Sequence, residues 1–231
     1  MTTYVLIHGA SSDSWYWNRV APLLRARGHA VVAPDLPSDD ETAGLAAYTD
    51  AVVDAIGDRT GLVLVAQSMA GFTAPLVCER VPVDLMVLVA AMVPAPGETA
   101  GEWWENTGQP AARRASDERS GRDPDAPFDI ETGFLHDLPP DVRAEVLARP
   151  ERGQAGRPFH DPWPLERWPD VPTRFLLCRD DRMFPAAFQR RVVRERLGIV
   201  PDEMDGGHLP ALARPAELVE RLEAYRTNLV A

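Results

Sequence analysis

Five short apolar runs set the limits on what this chain can become. They occupy residues 4–7, 30–33, 62–66, 85–89 and 175–178, and all are rich in Val, Leu and Ile. None alternates with polar residues, so each reads as a strand buried on both faces, which is how the strands of a parallel sheet read. Parallel neighbours need long crossovers rather than hairpins. The intervals supply them: residues 17–25, with Val20, Leu23 and Leu24 on one face and a stop at Gly28, then 45–56 and 188–197, have helical spacing. An α/β doubly wound, mostly parallel sheet follows.

The alternation breaks down between Pro94 and Pro172, where Pro, Gly and Trp crowd together. We read residues 1–93 and 171–231 as one core and 94–170 as an insertion forming a small cap. Within it, residues 113–126 (RRASDERSGRDPDA) read as a mobile solvated loop and 141–147 as the best helix. A length of 231 residues and 45% hydrophobic content leave ample material for one buried core.

Charge narrows the function classes. The formal net charge of −11 disfavours nucleic acid and anionic membrane surfaces as partners. Every basic residue is Arg, and without lysine there is no Schiff base, phosphate-loop amine or lysine general base. Cys78 and Cys178 lie in separate apolar stretches and read as buried free thiols. The opening MTTYVLIHGA has no basic flank, and no window approaches a membrane span, so the expected location is the cytoplasm.

One apolar run ends abruptly. Residues 63–71 read VLVAQSMAG: a strand, a tight turn at Gln67-Ser68-Met69, and a helix from about residue 72. This is the GxSxG arrangement of a nucleophile elbow with alanine at both glycine positions. Such a turn strains the serine backbone and lifts its hydroxyl above the sheet, so the residues two either side must be small. Ala66 and Ala70 meet that need, and Gly71 reads as added slack. The competing reading is a serine that caps the next helix.

Two further stretches favour the elbow. The first strand runs into Ile7-His8-Gly9-Ala10, where an amide of Ala10, with that of Met69, would give two donors for an oxyanion. After the strand at 175–178 come Arg179-Asp180-Asp181-Arg182, and later Gly206-Gly207-His208-Leu209-Pro210. The order is serine, acid, histidine.

With these motifs in register, the chain resembles the α/β-hydrolase family, in particular its esterase and hydroxynitrile-lyase branch. HGA after the first strand, PDL at 34–36, AQSMAG, CRDDRMFP at 178–185 and GGHLP at 206–210 carry the likeness over residues 3–93 and 171–229. The resemblance implies Ser68 as nucleophile, His208 as base, Asp181 as its orienting acid, and Ala10 and Met69 as oxyanion donors. Asp180 stands as the structural alternative to Asp181. The chain lacks the two antiparallel strands that open many family members, so about six strands are expected.

The remaining signals are weaker. His8 and His29 read as structural, and His136 and His160 lack the neighbours of a metal site; neither metal nor cofactor is expected. Trp103, Trp104, Phe128, Phe134, Trp163 and Trp168 lie in the insertion, and Trp103, Trp104, Phe134 and Trp163 are the first candidates to wall an apolar substrate. The resulting expectation is a serine hydrolase acting on a small or medium apolar carboxylic ester through an acyl-enzyme. A ligand receptor, a lyase and a cofactor-free oxygenase on the same scaffold are the alternatives. The plant cyanohydrin-cleaving relatives use a lysine after the histidine and a threonine in the oxyanion turn; Leu209 and Gly9 stand there instead.

Overall fold

The computed structural model describes residues 2–228. Among them the sheet has six strands: β1 (Thr3–Ile7), β2 (Ala30–Val32), β3 (Leu62–Gln67), β4 (Leu85–Val89), β5 (Thr173–Cys178) and β6 (Asp202–Met204). Their order is β2-β1-β3-β4-β5-β6, and every pairing is parallel. β6, with two acidic residues in three, has no apolar run to announce it; it joins the edge beside β5.

Side chains leave the strands to alternate faces. Val5, Ile7, Leu64, Ala66, Met86, Leu88, Phe175 and Leu177 enter one apolar layer. There they meet α2 (Leu45–Ile56), α3 (Ala70–Cys78) and α9 (Ala186–Leu197). Tyr4, Leu6, Val63, Val65, Val87, Val89, Leu176 and Cys178 enter the other, against α1 (Val20–Ala26), α10 (Pro210–Ala213) and α11 (Pro215–Asn228). Full burial of each large aliphatic or aromatic side chain contributes about 1.5–3 kcal/mol, so the double-sided core is what makes the strands compulsory. Cys178 is buried and Cys78 half-buried, both as free thiols.

The stretch expected as one helix at 17–25 divides: a 3₁₀ turn at Ser14–Trp17 capped by Asp13, then α1. The segment between β4 and β5 carries α4 (Ala100–Asn106), α5 (Gln109–Arg119), α6 (Ile130–Gly133), α7 (Pro140–Leu147) and α8 (Arg157–His160). The expected helix at 141–147 is α7. The expected loop at 113–126 is corrected: residues 113–119 are the C-terminal part of α5. Buried Asp117 explains this, pairing with Arg113 one turn away and receiving a 2.8 Å hydrogen bond from Arg122 Nε. Charge that reads as solvation is here an ion-pair network on a run of good helix formers.

The two ends of this segment are fastened together. Thr99 forms a β-bridge with Pro162, Gly97 N–H donates to Trp163 O at 3.0 Å, and Trp163 N–H donates to Glu98 O at 2.9 Å. A buried pair between Glu98 and Arg196 ties that neck to α9.

Candidate active site

From β1 the chain passes to β2 on one side and, after it, to β3 on the other, so a crevice opens beyond the C-terminal ends of β1 and β3. Such a switch point is where open α/β sheets place their ligands. Residues 8–11 leave β1 there and residues 68–69 leave β3.

Ser68 occupies the left-handed region, with φ of +54°. A non-glycine residue holds that conformation only when its surroundings enforce it. Here Ser68 O accepts from Gly71 N–H at 3.1 Å and Met92 N–H at 2.9 Å, while Ser68 N–H donates to Val89 O at 3.3 Å. Ala66 and Ala70 are buried beside the turn. Gly71 is not slack: a Cβ there would lie 1.8 Å from Met92 O. Gly9 is constrained too, less severely, since its Cβ would come within 2.9 Å of Ser68 Cβ.

His208 Nε2 lies 3.0 Å from Ser68 Oγ, and His208 Nδ1 lies 2.7 Å from Asp181 Oδ2. Asp181 Oδ1 accepts from the amides of Met183 and Phe184, both at 2.8 Å. A carboxylate so committed is an acceptor only, so Nδ1 carries the imidazole proton and Nε2 is left to accept from the serine hydroxyl. Asp180, one residue earlier, is exposed and turns to the histidine loop: Gly206 N–H donates to its Oδ2 at 3.1 Å. The alternative acid is therefore structural.

The histidine is gripped on several sides. Its carbonyl accepts from Gln67 Nε2 at 3.1 Å, its ring stacks on Phe134 at 5.0 Å, and Phe184 meets it edge-on at 5.1 Å. Gly207 N–H donates to Asp137 Oδ2 at 2.6 Å. The amides of Ala10 and Met69 have no hydrogen-bond acceptor among the described residues. The next amide, of Ser11 (φ +52°), donates to Gln154 Oε1 at 3.0 Å.

His8 shapes this turn. Its Nδ1–H donates to Gly9 O at 2.8 Å and its Nε2 accepts from Leu36 N–H at 3.1 Å, which joins the HGA and PDL stretches. Burial holds its pKa below the usual histidine value, consistent with a neutral ring in that role. His29 packs edge-on against Tyr4 and bonds Glu223 on α11, far from Ser68 in the fold.

Of the aromatic residues expected to wall a substrate, Phe134 reaches the site directly. Trp104 and Trp103 pack on Phe184, which in turn meets the imidazole, so they stand behind the site rather than in it. Trp163 differs from expectation: it is buried, with its indole N–H on Phe72 O at 3.1 Å, and fastens the segment to α3. Trp103 is fastened likewise to Val93 O at 3.0 Å. An indole whose one donor is used and whose faces are covered is a structural pin. Phe128 backs Phe134, and Trp168 packs on Trp163. Gln67, Asp137, Gln154 and Phe184 were not among the expected residues. Only Gln67 carries a signal, as a lone amide ending an otherwise apolar strand.

A parallel sheet with a strained serine at the switch point, and a histidine and buried aspartate in line with it, defines an α/β hydrolase. The chain belongs to the alpha/beta hydrolase family, whose model matches residues 4–221. It is 23% identical to norfluorocurarine synthase 1 of Strychnos sp, over 98% of this chain and 96% of that one. It is 29% identical to the pyrethroid hydrolase of Sphingobium wenxiniae, over 97% of this chain and 88% of that one. The crystal structure of polyneuridine aldehyde esterase superposes with a TM-score of 0.76 at 21% identity, covering 97% of this chain and 99% of the other. Among the described residues no three His, Cys, Asp or Glu side chains gather as metal ligands would.

Proposed function

We propose that this protein is a serine esterase that cleaves small or medium apolar carboxylic esters through an acyl-enzyme. The observation that carries the reading is the unbroken line Ser68 Oγ, His208 Nε2, His208 Nδ1, Asp181 Oδ2, with spacings of 3.0 and 2.7 Å. The similarity to a pyrethroid hydrolase and to polyneuridine aldehyde esterase supports ester cleavage as the reaction class.

Ser68 Oγ attacks the ester carbonyl carbon while His208 Nε2 accepts its proton; Asp181 fixes the reactive tautomer and stabilises the imidazolium. The carbonyl oxygen gains the negative charge and meets the unused amides of Ala10 and Met69. Two such donors in a water-poor site act strongly, one being worth about 2.7–4 kcal/mol. The imidazolium returns its proton to the departing alkoxide. Water, deprotonated by the same nitrogen, then releases the acid from Ser68. Phe134 stacks on the imidazole and the buried Phe184 backs it edge-on, an apolar surround that favours an apolar group beside the reacting carbonyl.

The test is steady-state hydrolysis of p-nitrophenyl esters of increasing acyl length. The native chain turns over repeatedly, with an optimum at short or medium length, and Ser68→Ala loses at least about 10⁴-fold in kcat. Activity surviving in Ser68→Ala would move the chemistry to proton abstraction by His208 and end the serine reading.

A further inference from the structure

The histidine loop is held by more than the sheet. Gly206, with φ of +108°, receives two bonds from Asp180: its N–H donates to Oδ2 at 3.1 Å, and its carbonyl accepts from Asp180 N–H at 3.0 Å. His208 O is held by Gln67 Nε2. Between these, the peptide joining two glycines is the one that would otherwise retain most freedom. Its N–H, on Gly207, goes to Asp137 Oδ2 at 2.6 Å, and Asp137 belongs to the segment inserted between β4 and β5. The approach is close, and any side chain at Gly207 would have to displace those of Asp137 and His136. A Cβ on Gly207 would stand 2.8 Å from Asp137 Oδ1 and 2.9 Å from His136 Nε2. Three residues before Asp137, Phe134 lies against the imidazole face, so one short stretch holds both the ring and the Gly206–Gly207 peptide.

We propose that Asp137 is a positioning residue for the reaction: by accepting the Gly207 amide it sets where His208 Nε2 sits relative to Ser68 Oγ. The inference rests on the serine esterase reading and adds that the segment between β4 and β5 aligns the base. Asp137 does not touch the reacting atoms and acts through the loop backbone. Misplacing a catalytic group by about 1 Å can cost on the order of 100-fold in rate. Such a displacement should appear in kcat rather than KM, because substrate contacts are untouched.

The experiment compares Asp137→Ala and Asp137→Asn with the native chain and Ser68→Ala on the preferred p-nitrophenyl ester. Rates are expressed per folded molecule, with the folded fraction taken from thermal unfolding. Asparagine keeps an acceptor oxygen at the same reach, whereas alanine removes it. Asp137→Ala should lose roughly 10- to 100-fold in kcat with KM within about 2-fold, and Asp137→Asn should recover to within about 3-fold of native. A fall in folded fraction alone, with kcat per folded molecule unchanged, overturns the proposal, as does a change confined to KM. Equal loss in both variants also overturns it, since the carboxylate charge and not the acceptor would then be responsible. If Ser68→Ala retains activity the serine reading fails first; if it is inactive while Asp137→Ala matches native, only the positioning role fails.

Discussion

The least forgiving position at the elbow is Gly71, and replacing it with alanine tests how the turn is held. The added methyl would sit 1.8 Å from Met92 O and 3.0 Å from Met92 C, more than about 1.5 Å inside ordinary van der Waals contact with the former. The obstacle is backbone, so no rotamer relieves it. Met92 cannot yield freely either, since it is buried and its N–H donates to Ser68 O at 2.9 Å. Forcing bulk into a filled core costs about 1–3 kcal/mol, and loss of the Met92–Ser68 hydrogen bond adds about 0.5–1.5 kcal/mol. A total of about 1.5–4.5 kcal/mol corresponds, for a chain of this size, to a melting temperature lower by roughly 3–18 °C. Since Ser68 moves with its carbonyl, its hydroxyl leaves the 3.0 Å contact with His208, and kcat should fall by about 100-fold. Calorimetry and ester kinetics on Gly71→Ala check both numbers. A variant that melts within about 1 °C of native and keeps its kcat would refute the claim that this contact holds the serine in place.

Asp181→Asn should reduce kcat by about 10⁴-fold with little change in KM. Its oxygen would serve the Met183 and Phe184 amides, leaving its NH₂ facing His208 Nδ1 and imposing the wrong tautomer; kinetics and the thermal transition separate this from unfolding. Glu223 governs part of the acid stability. Burial pushes its pKa up, but hydrogen bonds from Arg226, Tyr4 and His29 outweigh that and bring it to about 2. A carboxyl lowered in the folded state stabilises above its unfolded value of about 4.5, and that contribution disappears as pH falls toward 2. Glu223→Gln should therefore cost on the order of 1–3 kcal/mol at neutral pH and flatten the loss of stability between about pH 4.5 and 2, measured by urea unfolding across pH.

The legible part of this molecule is the part encoded by neighbours in the chain. β1, β3, β4 and residues 175–178 of β5 read as apolar runs because both faces are covered, and Ser68, Asp181 and His208 are found in the turns and loops that follow strands because their motifs span only a few residues each. Where a contact joins distant residues the signal vanishes. Asp137 meets Gly207 across 70 positions and Gln154 meets Ser11 across 143, and neither carries a periodicity or composition that marks it. Residues 113–119 mislead for a different reason: their charges read as solvation, while the fold buries Asp117 between two arginines. Gly71 misleads because a glycine kept for close approach and one kept for freedom have the same letter.

The fastened neck of the inserted segment bears on how such a protein can be altered. Because Thr99 and Pro162 meet at its base, and β4 and β5 are sheet neighbours, a foreign segment of different length could be spliced between them without disturbing the strand register. The exchange would not be neutral for the reaction. The outgoing segment takes with it the acceptor for the Gly207 amide, the face under the imidazole, and the Gln154 amide that meets the turn beside Ala10. On the positioning role proposed for Asp137, a graft chosen only for its pocket is expected to misalign His208, and the turn at Ala10 and Ser11 loses its Gln154 contact. Altering what this scaffold accepts therefore requires carrying over those three anchoring contacts along with the new walls.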